Sequence, residues 1–462
     1  MAVCSSISIS QVEYLRLDAD FYHPKYLKEL EIWNALDGCV GVAKLSHLIS
    51  ASIRTGRTPS SRHIKEEDEI VPFIKTDGIR EGRINFDSAG DLPKRVLNGS
   101  DFIPADSVVV TIIGATPEIV GRAAIVRDAD PRCVTNQNVA VITTNSKCDP
   151  YFLTAYFQTS FGRDQLWRHS RRTEQVNLNC REVERVLVPT PEVSLQNEIG
   201  DLIRASFAAT DDSESLYTQA QQLLEAELGL DKLCFDKPLG YAARFSDTFV
   251  DRRIDAEYFQ PQFKQVNDHV KAHLSGCQPL LSVCASLKPN IDPSKSPTDI
   301  FDYIELANIK SSLGVIEGAT RAVGGSLPSR ARRKVMAGDV LASSVVGSID
   351  KSALINQEVS GFIASTGFFH LRPQNVSPEY LFMLVKSRLV RMQLQQQSTG
   401  GILSAVPDSR LRYVVVPTTP QSTQDQITQL VKLAHAKYAE SKLLVEKAKA
   451  RVEQLIEDAV RA

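Results

Sequence analysis

The sequence predicts an α+β protein in which two repeated α/β domains are separated by two long, antiparallel coiled-coil helices. Two observations lead to this class. The string VLVPTPEVSLQNEI (186–199) returns as VVVPTTPQSTQDQI (414–427), an offset of 228 residues (414 − 186) in a chain of 462. Such self-similarity at half the chain length indicates a duplicated unit. After each copy, apolar residues recur at helical spacing along a proline-free stretch.

Further matches between the two halves occur in the same order along the chain. RLDADFYHP (16–24) resembles RIDAEYFQP (253–261), and DPYFL (149–153) resembles SPEYL (377–381). The offsets drift slightly, as loop insertions would cause. We therefore predict four segments, which are a first domain (1–191), a first helix (192–236), a second domain (237–419) and a second helix (420–462).

Each domain begins with short apolar runs between glycine, proline and aspartate turns. Runs rich in β-branched residues predict strands, and in the first repeat they are VPFIK (71–75), SVVVTIIG (107–114), AAIV (123–126) and VAVITT (139–144). A helix is predicted over 149–167 and again over 377–394. Asp149 and Ser377 are the expected N-caps, because each precedes a proline at the first helical position.

The proline-containing string marks the end of each domain. Pro189 and Pro417 are predicted to end the last strand, and Ser194 and Ser422 are candidate N-caps of the long helices. The second helix runs without glycine or proline from Gln421 to the end of the chain.

At about 1.5 Å per residue the second helix would be roughly 60 Å long. A heptad stripe of that length needs a partner helix, so we expect the two helices to pair. The first stripe is more polar and stops near Gly229, a plausible C-cap. The alternative is that each stripe packs on its own domain. The residues predicted to pair are Ile199, Ile203, Tyr217, Leu224, Ile427, Val431, Tyr438, Val445 and Val452.

Composition places the chain among soluble globular proteins, with 43% hydrophobic and 23% charged residues. No apolar run approaches the roughly 18 residues that span a bilayer, and the first residues do not resemble a signal peptide. The eight cysteines are scattered, lack a CxxC pair and do not match between repeats. We therefore expect reduced thiols, a cytoplasmic location and no bound metal.

Familiar catalytic motifs are absent from the sequence. There is no phosphate-binding GxxxxGK[ST] loop, no GxGxxG after a strand, and neither HExxH nor GxSxG. Asp149–Phe152 is similar to the catalytic loop of amino-methyltransferases, but it lacks the second proline, and a helix start explains both repeat copies. Pro407-Asp408 could open a nuclease motif, but no acid–x–lysine follows.

Paired acids recur in the two repeats, as Asp18 and Asp20 and again as Asp255 and Glu257. Paired carboxylates can perform acid–base catalysis. A capping or interdomain role is the interpretation we favour, since the pairs belong to the repeated scaffold.

Basic stretches are the strongest functional signal. The segment 321–334 carries five positive charges and no acid, and its glycine and proline content predicts a loop. Arginine suits phosphates and guanine edges because its planar fork bonds bidentately. A solvated surface is the alternative for any single patch. The predicted DNA-binding residues are Arg54, Arg57, Lys75, Arg80, Arg83, Arg168, Arg171, Arg172, Arg321, Arg330, Arg332, Arg333 and Lys334.

The basic stretches differ between the repeats while the scaffold positions match. Two copies of one scaffold that read different targets would have this pattern.

These motifs together resemble the specificity subunit of type I restriction-modification systems. The resemblance covers essentially the whole chain and depends on the tandem order of the R-x-D-A-[DE]-[FY]-[FY] motifs at Arg16 and Arg253 and the V-P-T…Q-x-x-I strings at Val188 and Val416. It implies two target recognition domains that each read half of a split DNA site, with the helices setting the gap. The polar middle of the first helix, Thr210 to Ser213, departs from a continuous apolar stripe.

The resemblance also implies partners and cofactors. The chain would be non-catalytic, bind two methyltransferase subunits that use S-adenosylmethionine, bind no cofactor itself, and be joined by restriction subunits in some assemblies. A protein–protein scaffold without DNA readout and a standalone enzyme are the other two classes. Salt-dependent binding to duplex DNA favours the first class, DNA-independent binding to a partner the second, and turnover by the chain alone the third.

Overall fold

The structure is a computed structural model that describes residues 7, 12–13, 16–60, 62–114, 116, 119–172, 176–230, 233, 235, 238, 240–399 and 404–461. Cys4 and Cys234 lie outside these residues. The described cysteines are free thiols, as expected: Cys39, Cys133, Cys148, Cys180, Cys277 and Cys284.

The chain divides into two compact units of mixed helix and strand. The first unit contains residues 1–208 and 440–462, and the second contains residues 209–439. This architecture confirms the predicted α+β class with two repeated domains and two long helices. The finer division into four segments stays a prediction.

Besides its parts of the two long helices, the first unit contains four α-helices and fourteen strands among its described residues. The helices are α1 (Pro24–Cys39), α2 (Pro150–Gln158), α3 (Ser160–His169) and α4 (Cys180–Val183). The strands are β1 (Val42–Lys44), β2 (Arg54–Thr55), β3 (Ile70–Ile74), β4 (Ile79–Arg80), β5 (Arg83–Ile84), β6 (Gly90–Pro93), β7 (Ser107–Thr111), β8 (Ile113–Gly114), β9 (Ala123–Val126), β10 (Val134–Thr135), β11 (Val139–Ile142), β12 (Arg171–Arg172), β13 (Val176–Asn177) and β14 (Leu187–Pro189).

Small sheets surround the core of the first unit, and their orders are β2-β11-β7-β9, β10-β3-β6, β12-β13-β8, β1-β14 and β4-β5. The predicted strand runs at 71–75, 107–114, 123–126 and 139–144 all contain strands, since their β-branched side chains fit a buried pleated surface. The main core joins Trp33, Phe152 and Tyr156 to apolar residues of both long helices.

A long helix, α5 (Val193–Glu227), follows the first set of strands. The second unit continues with α6 (Phe245–Asp251), α7 (Pro261–Lys271), α8 (Pro378–Lys386) and α9 (Arg388–Gln396), and α10 (Gln421–Arg461) ends the described chain. The strands are β15 (Cys277–Pro279), β16 (Cys284–Leu287), β17 (Ile300–Ile304), β18 (Ile309–Lys310), β19 (Val315–Ile316), β20 (Thr320–Val323), β21 (Ala331–Lys334), β22 (Val340–Ser343), β23 (Ser352–Leu354), β24 (Ile363–Ser365), β25 (Phe368–Pro373) and β26 (Val415–Pro417).

The sheets of the second unit repeat part of this plan. Their orders are β16-β25-β22-β23, β20-β17-β24-β21, β15-β26 and β18-β19. In each unit the strand that ends at the repeated proline pairs with an earlier strand. Strand β14 pairs with β1, which follows α1, and β26 pairs with β15, which follows α7. The prediction that Pro189 and Pro417 end these strands is confirmed.

The predicted helices at 149–167 and 377–394 are each two helices. Asp149 and Ser377 are N-caps, as predicted, and their side chains accept hydrogen bonds from backbone amides of the first turn. A second cap then interrupts each helix. Thr159 (ψ 163°) and Ser387 (ψ 149°) are extended, and each side chain accepts a bond from the backbone amide three residues later. The prediction of one continuous helix was wrong because these hydroxyls cap a new helix.

Within the first unit, α5 and α10 run antiparallel. Arg451 pairs with Glu198 at 3.3 Å, and Ser206 and Ser441 both contact Arg83. The residue numbers therefore increase along α5 as they decrease along α10. Ile199, Ile203 and Val452 of the predicted stripe are buried in the main core, and Val445 packs half-buried against it.

Within the second unit, the two helices are also antiparallel. The Ser213 hydroxyl donates to the Ala434 carbonyl at 2.7 Å, and the Thr423 hydroxyl donates to Glu227 at 3.2 Å. The polar middle of α5 is therefore accommodated by a side-chain bond across the pair. The other stripe residues, Tyr217, Leu224, Ile427, Val431 and Tyr438, belong to the core. Ser194 and Ser422 lie inside the helices, which begin one residue earlier, so they are not the N-caps.

Candidate nucleic-acid interface

Strand β21 separates its basic side chains between two faces. Neighbouring residues of a strand point to opposite faces. Ala331 and Arg333 are buried, whereas Arg332 is half-buried and Lys334 is exposed. The predicted loop at 321–334 therefore contains two strands, β20 and β21, joined by a turn, and that prediction was wrong.

Arg333 is 3% exposed, and its guanidinium is used inside the unit. It donates to the Leu287 carbonyl at 2.5 Å and to Asp408 at 3.0 Å. A guanidinium in this position joins β21 to the segment at 408 and is unavailable to DNA. The structure therefore places Arg333 inside the unit, and its contact with DNA stays a prediction without support from the fold. The same ion pair gives Asp408 a partner within the unit.

Arg332 is partly neutralised by a neighbouring acid. Its guanidinium lies 2.6 Å from Asp292 and donates to the Ser329 carbonyl at 3.0 Å. Bonds from Ser294 and Arg332 lower the pKa of Asp292 to about 2, so this carboxylate stays charged at neutral pH. Arg332 keeps spare donors, but its net contribution to a positive surface is small.

Arg321 and Lys334 are exposed cations on one sheet, and Arg330 is an exposed cation immediately before β21. Arg321 lies on β20 and Lys334 on β21, which are the two edges of the order β20-β17-β24-β21. Strands are about 4.8 Å apart, so the edges are separated by roughly 14 Å. The major groove of DNA is about 12 Å wide. The separation of the two edge strands is therefore comparable with the width of the groove.

A 3-10 segment at Asp408–Tyr413 adds a basic and aromatic surface that was not predicted from the sequence. Tyr413 is 48% exposed, and the guanidinium carbons of Arg410 and Arg412 lie 5.5 and 5.0 Å from its ring centre. Leu411 is buried between them and anchors the segment. The available signal was the string RLRY, in which cations alternate with a buried leucine before an aromatic residue. Aromatic rings beside arginine can stack on bases.

In the first unit, two predicted arginines are held by the fold. Arg57 donates two bonds to Asp101, at 2.7 and 2.6 Å, and one to the Val96 carbonyl. The bond from Arg57 lowers the pKa of Asp101, and the same bond raises the pKa of Arg57. Arg54 donates to the Phe102 carbonyl at 2.7 Å. These contacts leave fewer donors for a ligand than the sequence predicted.

Arg83 joins the β4–β5 turn to both long helices. It donates to the Ser206 carbonyl at 2.6 Å and to the Ser441 hydroxyl at 2.8 Å, and its guanidinium lies 4.4 Å from the Phe207 ring centre. Arg168 is 5% exposed and stacks 4.2 Å from the Phe21 ring, and burial lowers its pKa. These contacts give both side chains a role within the unit, and their contact with DNA stays a prediction that the fold does not support.

The remaining predicted cations of the first unit lie nearer to solvent. Lys75 and Arg80 are exposed, at the end of β3 and on β4. Arg171 is 59% exposed and donates to Glu182 at 2.7 Å. Arg172 lies on β12, and its side chain falls outside the described residues. Lys75, Arg80, Arg57 and Arg171 are therefore exposed, but Arg57 and Arg171 are paired with acids.

The acids that could have been catalytic have structural partners. Asp18 pairs with Arg16 at 3.0 Å and Asp255 pairs with Arg253 at 2.5 Å. Asp149 caps α2 and pairs with Arg204 at 2.5 Å, which fits a helix start. Across the described ranges, side chains that bind metals do not gather in groups of three or more. No described helix is both long and apolar enough to cross a membrane.

Comparison with known proteins gives one family. The family model described as type I restriction modification DNA specificity domain matches residues 42–222. A curated relative, the type I restriction enzyme StySPI specificity subunit of Salmonella potsdam, is 19% identical over 159 residues. That match covers 34% of this chain and 34% of the relative, so the chain aligns with about a third of the relative's length.

Two solved structures align with this chain over most of its length. The S subunit of a type I restriction-modification system from M. genitalium shares 11% identity and a TM-score of 0.44, covering 91% of this chain and 96% of the other. The HsdS subunit from Thermoanaerobacter tengcongensis shares 15% identity and a TM-score of 0.30, covering 90% and 96%.

Proposed function

We propose that this chain is a DNA-recognition subunit that reads a two-part target, because residues 42–222 match the model of type I restriction modification DNA specificity domains and part of the chain aligns with a type I restriction enzyme specificity subunit. Residues 42–222 provide one DNA specificity domain. In this proposal the second unit reads the other half of the target, and the chain itself is not catalytic.

The repeat within the structure is the observation that supports a two-part target. The family match lies in the first half, yet the second half has the same capped helix pair, with Ser377 and Ser387 in the places of Asp149 and Thr159. In this proposal the second copy of the scaffold is a second DNA-recognition domain.

The mechanism follows from two weak contacts joined by one chain. When one unit is bound, the second contact is effectively intramolecular, so overall affinity exceeds that of either unit. Phosphate contacts position a protein on the duplex, and base contacts specify the sequence. In the second unit we assign phosphate contacts to Arg321, Arg330 and Lys334, and base or sugar contacts to the Arg410–Tyr413 segment. In the first unit we assign Lys75 and Arg80 to phosphates.

The long helices would set the gap between the two half-sites. Each residue adds about 1.5 Å along a helix, so a change in helix length changes the spacing of anything attached to its ends. Insertion of one helical turn in both α5 and α10 should therefore change the preferred gap. An unchanged gap in that variant would contradict the spacer role.

The partners in this proposal are two methyltransferase subunits, which supply S-adenosylmethionine chemistry, and restriction subunits in the assemblies that cleave DNA. This chain would hold neither the cofactor nor the reacting base. Its own residues would choose where the partner acts.

Selection from a random duplex pool tests this function. The chain, co-expressed with its methyltransferase subunit, is immobilised, and bound duplexes are sequenced after several rounds. We expect two short conserved blocks separated by a fixed number of unspecified bases. Tyr413→Ala should relax preference within one block only. A complex that forms but enriches no sequence would favour the scaffold class instead. Turnover of DNA by the chain alone would favour the enzyme class.

A further inference from the structure

The turn between β10 and β11 in the first unit has an equivalent in the second, between β24 and β25. Each turn leaves a strand that runs parallel to its neighbour, β10 beside β3 and β24 beside β17. The Asn136 side chain accepts a hydrogen bond from the backbone amide of Asn138 at 3.0 Å, and the Ser365 hydroxyl accepts one from the backbone amide of Gly367 at 3.1 Å. The same backbone turn therefore carries Gln137 at its tip in one unit and Thr366 in the other.

The tip of this turn is open in the first unit and covered in the second. Gln137 is exposed, whereas Thr366 is half-buried. The backbone amide of Thr366 donates to the Arg330 carbonyl at 2.8 Å, so the segment before β21 lies over that tip. Gln137 thus combines a backbone fixed by the scaffold with a side chain that faces outward. Loop positions of this kind on a rigid scaffold are suited to recognition.

The segment that follows β2 holds the Gln137 side chain in place. The Thr58 hydroxyl donates to Gln137 Oε1 at 2.7 Å. This segment comes close to the turn because residue 56 is glycine, and a Cβ at Gly56 would lie 1.9 Å from the Thr135 carbonyl oxygen. The carboxamide of Gln137 is therefore oriented before a ligand binds.

The bond from Thr58 leaves most of the hydrogen-bonding capacity of this carboxamide free. A carboxamide oxygen has two lone pairs, and its nitrogen carries two hydrogens. Among the residues that the structure describes, none accepts a hydrogen bond from Gln137 Nε2. One acceptor site and two donors thus remain side by side. That pattern matches the N6 hydrogen and the N7 acceptor that adenine presents in the major groove.

The charge around Gln137 is weak, which suits contact with a base edge better than contact with a phosphate. Arg57 donates to both oxygens of Asp101, at 2.7 and 2.6 Å, and Arg54 donates to the Phe102 carbonyl. Lys75 leaves β3 beside the turn, and Asp77 follows two residues later. Three cations and two acids therefore lie in the segments next to the turn, which are residues 54–58, 75–77 and 101–102.

We infer that Gln137 is a residue with which the first unit reads a base, that this base is adenine, and that Thr58 is a positioning residue for it. The inference rests on the proposed function, in which the first unit has only phosphate contacts, and Gln137 lies inside the matched residues 42–222. Guanine presents acceptors at both O6 and N7, so Gln137 Oε1 would face O6 with no hydrogen between them. Thr366 lacks a carboxamide and is covered, so the second unit reads its bases with other residues.

Selection from a random duplex pool by the co-expressed complex tests the role of Gln137. Gln137→Ala should reduce discrimination at one adenine position by about 10- to 100-fold, as expected for loss of a bidentate contact. The affected block should not be the one that Tyr413→Ala relaxes. Gln137→Arg should move the preference at the same position to guanine, because arginine bonds O6 and N7. Gln454→Ala is the matched control, since Gln454 is an exposed glutamine of α10 in the same unit, and it should change neither block.

Two substitutions of Thr58 test the positioning role. Thr58→Val removes the hydroxyl at nearly the same size, so it should weaken discrimination at the same adenine position, and less than Gln137→Ala does. Thr58→Ser keeps the hydroxyl and should retain the discrimination of the unchanged chain. Equal discrimination in the valine and serine variants would overturn the positioning role.

The outcomes separate this inference from the proposed function. Two blocks selected alike by the unchanged chain and by Gln137→Ala would overturn the inference and leave the function intact. Relaxation at a position where the unchanged chain prefers another base would overturn the assignment to adenine. An unchanged chain that selects no sequence would overturn both the inference and the function. Equal thermal unfolding of all variants, expected for substitutions at the surface, excludes misfolding as the cause of a lost preference.

Discussion

The two units share one scaffold but use their cations differently. In the first unit, Arg57, Arg83 and Arg168 are engaged by a carboxylate, by serines of the long helices or by an aromatic ring. In the second unit, Arg333 is engaged in the same way, whereas Arg321 and Arg330 are exposed. A basic sequence stretch therefore does not reveal by itself whether arginine stabilises the fold or faces a ligand. Burial and bonding distinguish the two roles.

The contrast between the units also appears at one matched position, the last residue of α2 and of α8. Gln158 of α2 donates to the Ala123 carbonyl at 2.9 Å. Its counterpart, Lys386 of α8, is directed into the unit, where it donates to the carbonyls of Ser311 and Ser312 and lies 4.6 Å from the Tyr217 ring centre. Burial lowers the pKa of Lys386 to about 7. The same scaffold position is neutral in one unit and titratable in the other.

Replacement of the buried Arg333 should have the largest effect. Arg333→Ala leaves the Leu287 carbonyl without its donor and removes the packing of the long side chain, at a cost of about 2–3 kcal/mol. Arg330→Ala, three residues earlier and exposed, should change the free energy of unfolding by less than about 0.5 kcal/mol. Urea unfolding of both variants checks this. Equal stability of the two would contradict the structural role of Arg333.

Neutralisation of the exposed cations of the second unit should have the next largest effect. The triple variant Arg321→Gln, Arg330→Gln and Lys334→Gln should weaken DNA binding by about 10- to 100-fold, or about 1.4–2.8 kcal/mol. The slope of log affinity against log salt should fall by about 1 for each phosphate that the variant no longer binds. Titration of the assembled complex at several salt concentrations measures both.

A matched control for that variant changes the same charge elsewhere. Lys28→Gln, Lys264→Gln and Lys271→Gln replace exposed lysines of α1 and α7. This control should keep nearly the full affinity and salt slope. Equal losses in both triple variants would show a general charge effect and refute the assigned surface.

Lys386 should make the second unit sensitive to pH. Its folded pKa is about 7, whereas an unfolded lysine titrates near 10.4. Between these values the unfolded chain binds more protons, so stability rises with pH, by up to about 1.4 kcal/mol per unit. Below pH 7 both states are protonated and this dependence ends. Lys386→Gln, which copies Gln158, should lose the rise between pH 7.5 and 8.5 in urea unfolding. An identical rise in the variant would contradict this account.

The two helix caps should differ only slightly from each other in their effect on the free energy of unfolding. Asp149 accepts two backbone bonds and pairs with Arg204, whereas Ser377 accepts one backbone bond. We expect Asp149→Ala to cost about 2 kcal/mol and Ser377→Ala about 0.5–1 kcal/mol, because the charged cap also interacts with the helix dipole. Thermal unfolding compares them. A larger loss for Ser377→Ala would reverse the expected order.

Features set by local chemistry were predictable from the sequence. Proline after Asp149 or Ser377 places a helix start, and β-branched runs place buried strands, since both preferences act within a few residues. The apolar spacing after Ile427 predicted α10 to within a residue of its described end. The repeat itself predicted the two-unit architecture.

Features set by neighbours distant in the sequence were not predictable in the same way. The burial of Arg333 depends on Leu287 and Asp408, which only the fold brings close. Strands β20 and β21 lack apolar alternation because they are edges of a sheet, so their glycine-rich surroundings predicted a loop. A single exposed tyrosine such as Tyr413 forms no sequence motif. The neighbouring Arg410 and Arg412 are the sequence signal that marks it as a candidate binding residue.

Methylation-site sequencing tests the central claim most directly. DNA from cells that carry this chain with its methyltransferase subunit is compared with DNA from cells that carry the methyltransferase subunit alone. We predict a split adenine-methylated motif, with two specified blocks and a fixed gap, that appears only when the chain is present. A single uninterrupted motif, or no new motif from cells in which the complex is stable, would contradict a chain that reads DNA with two units.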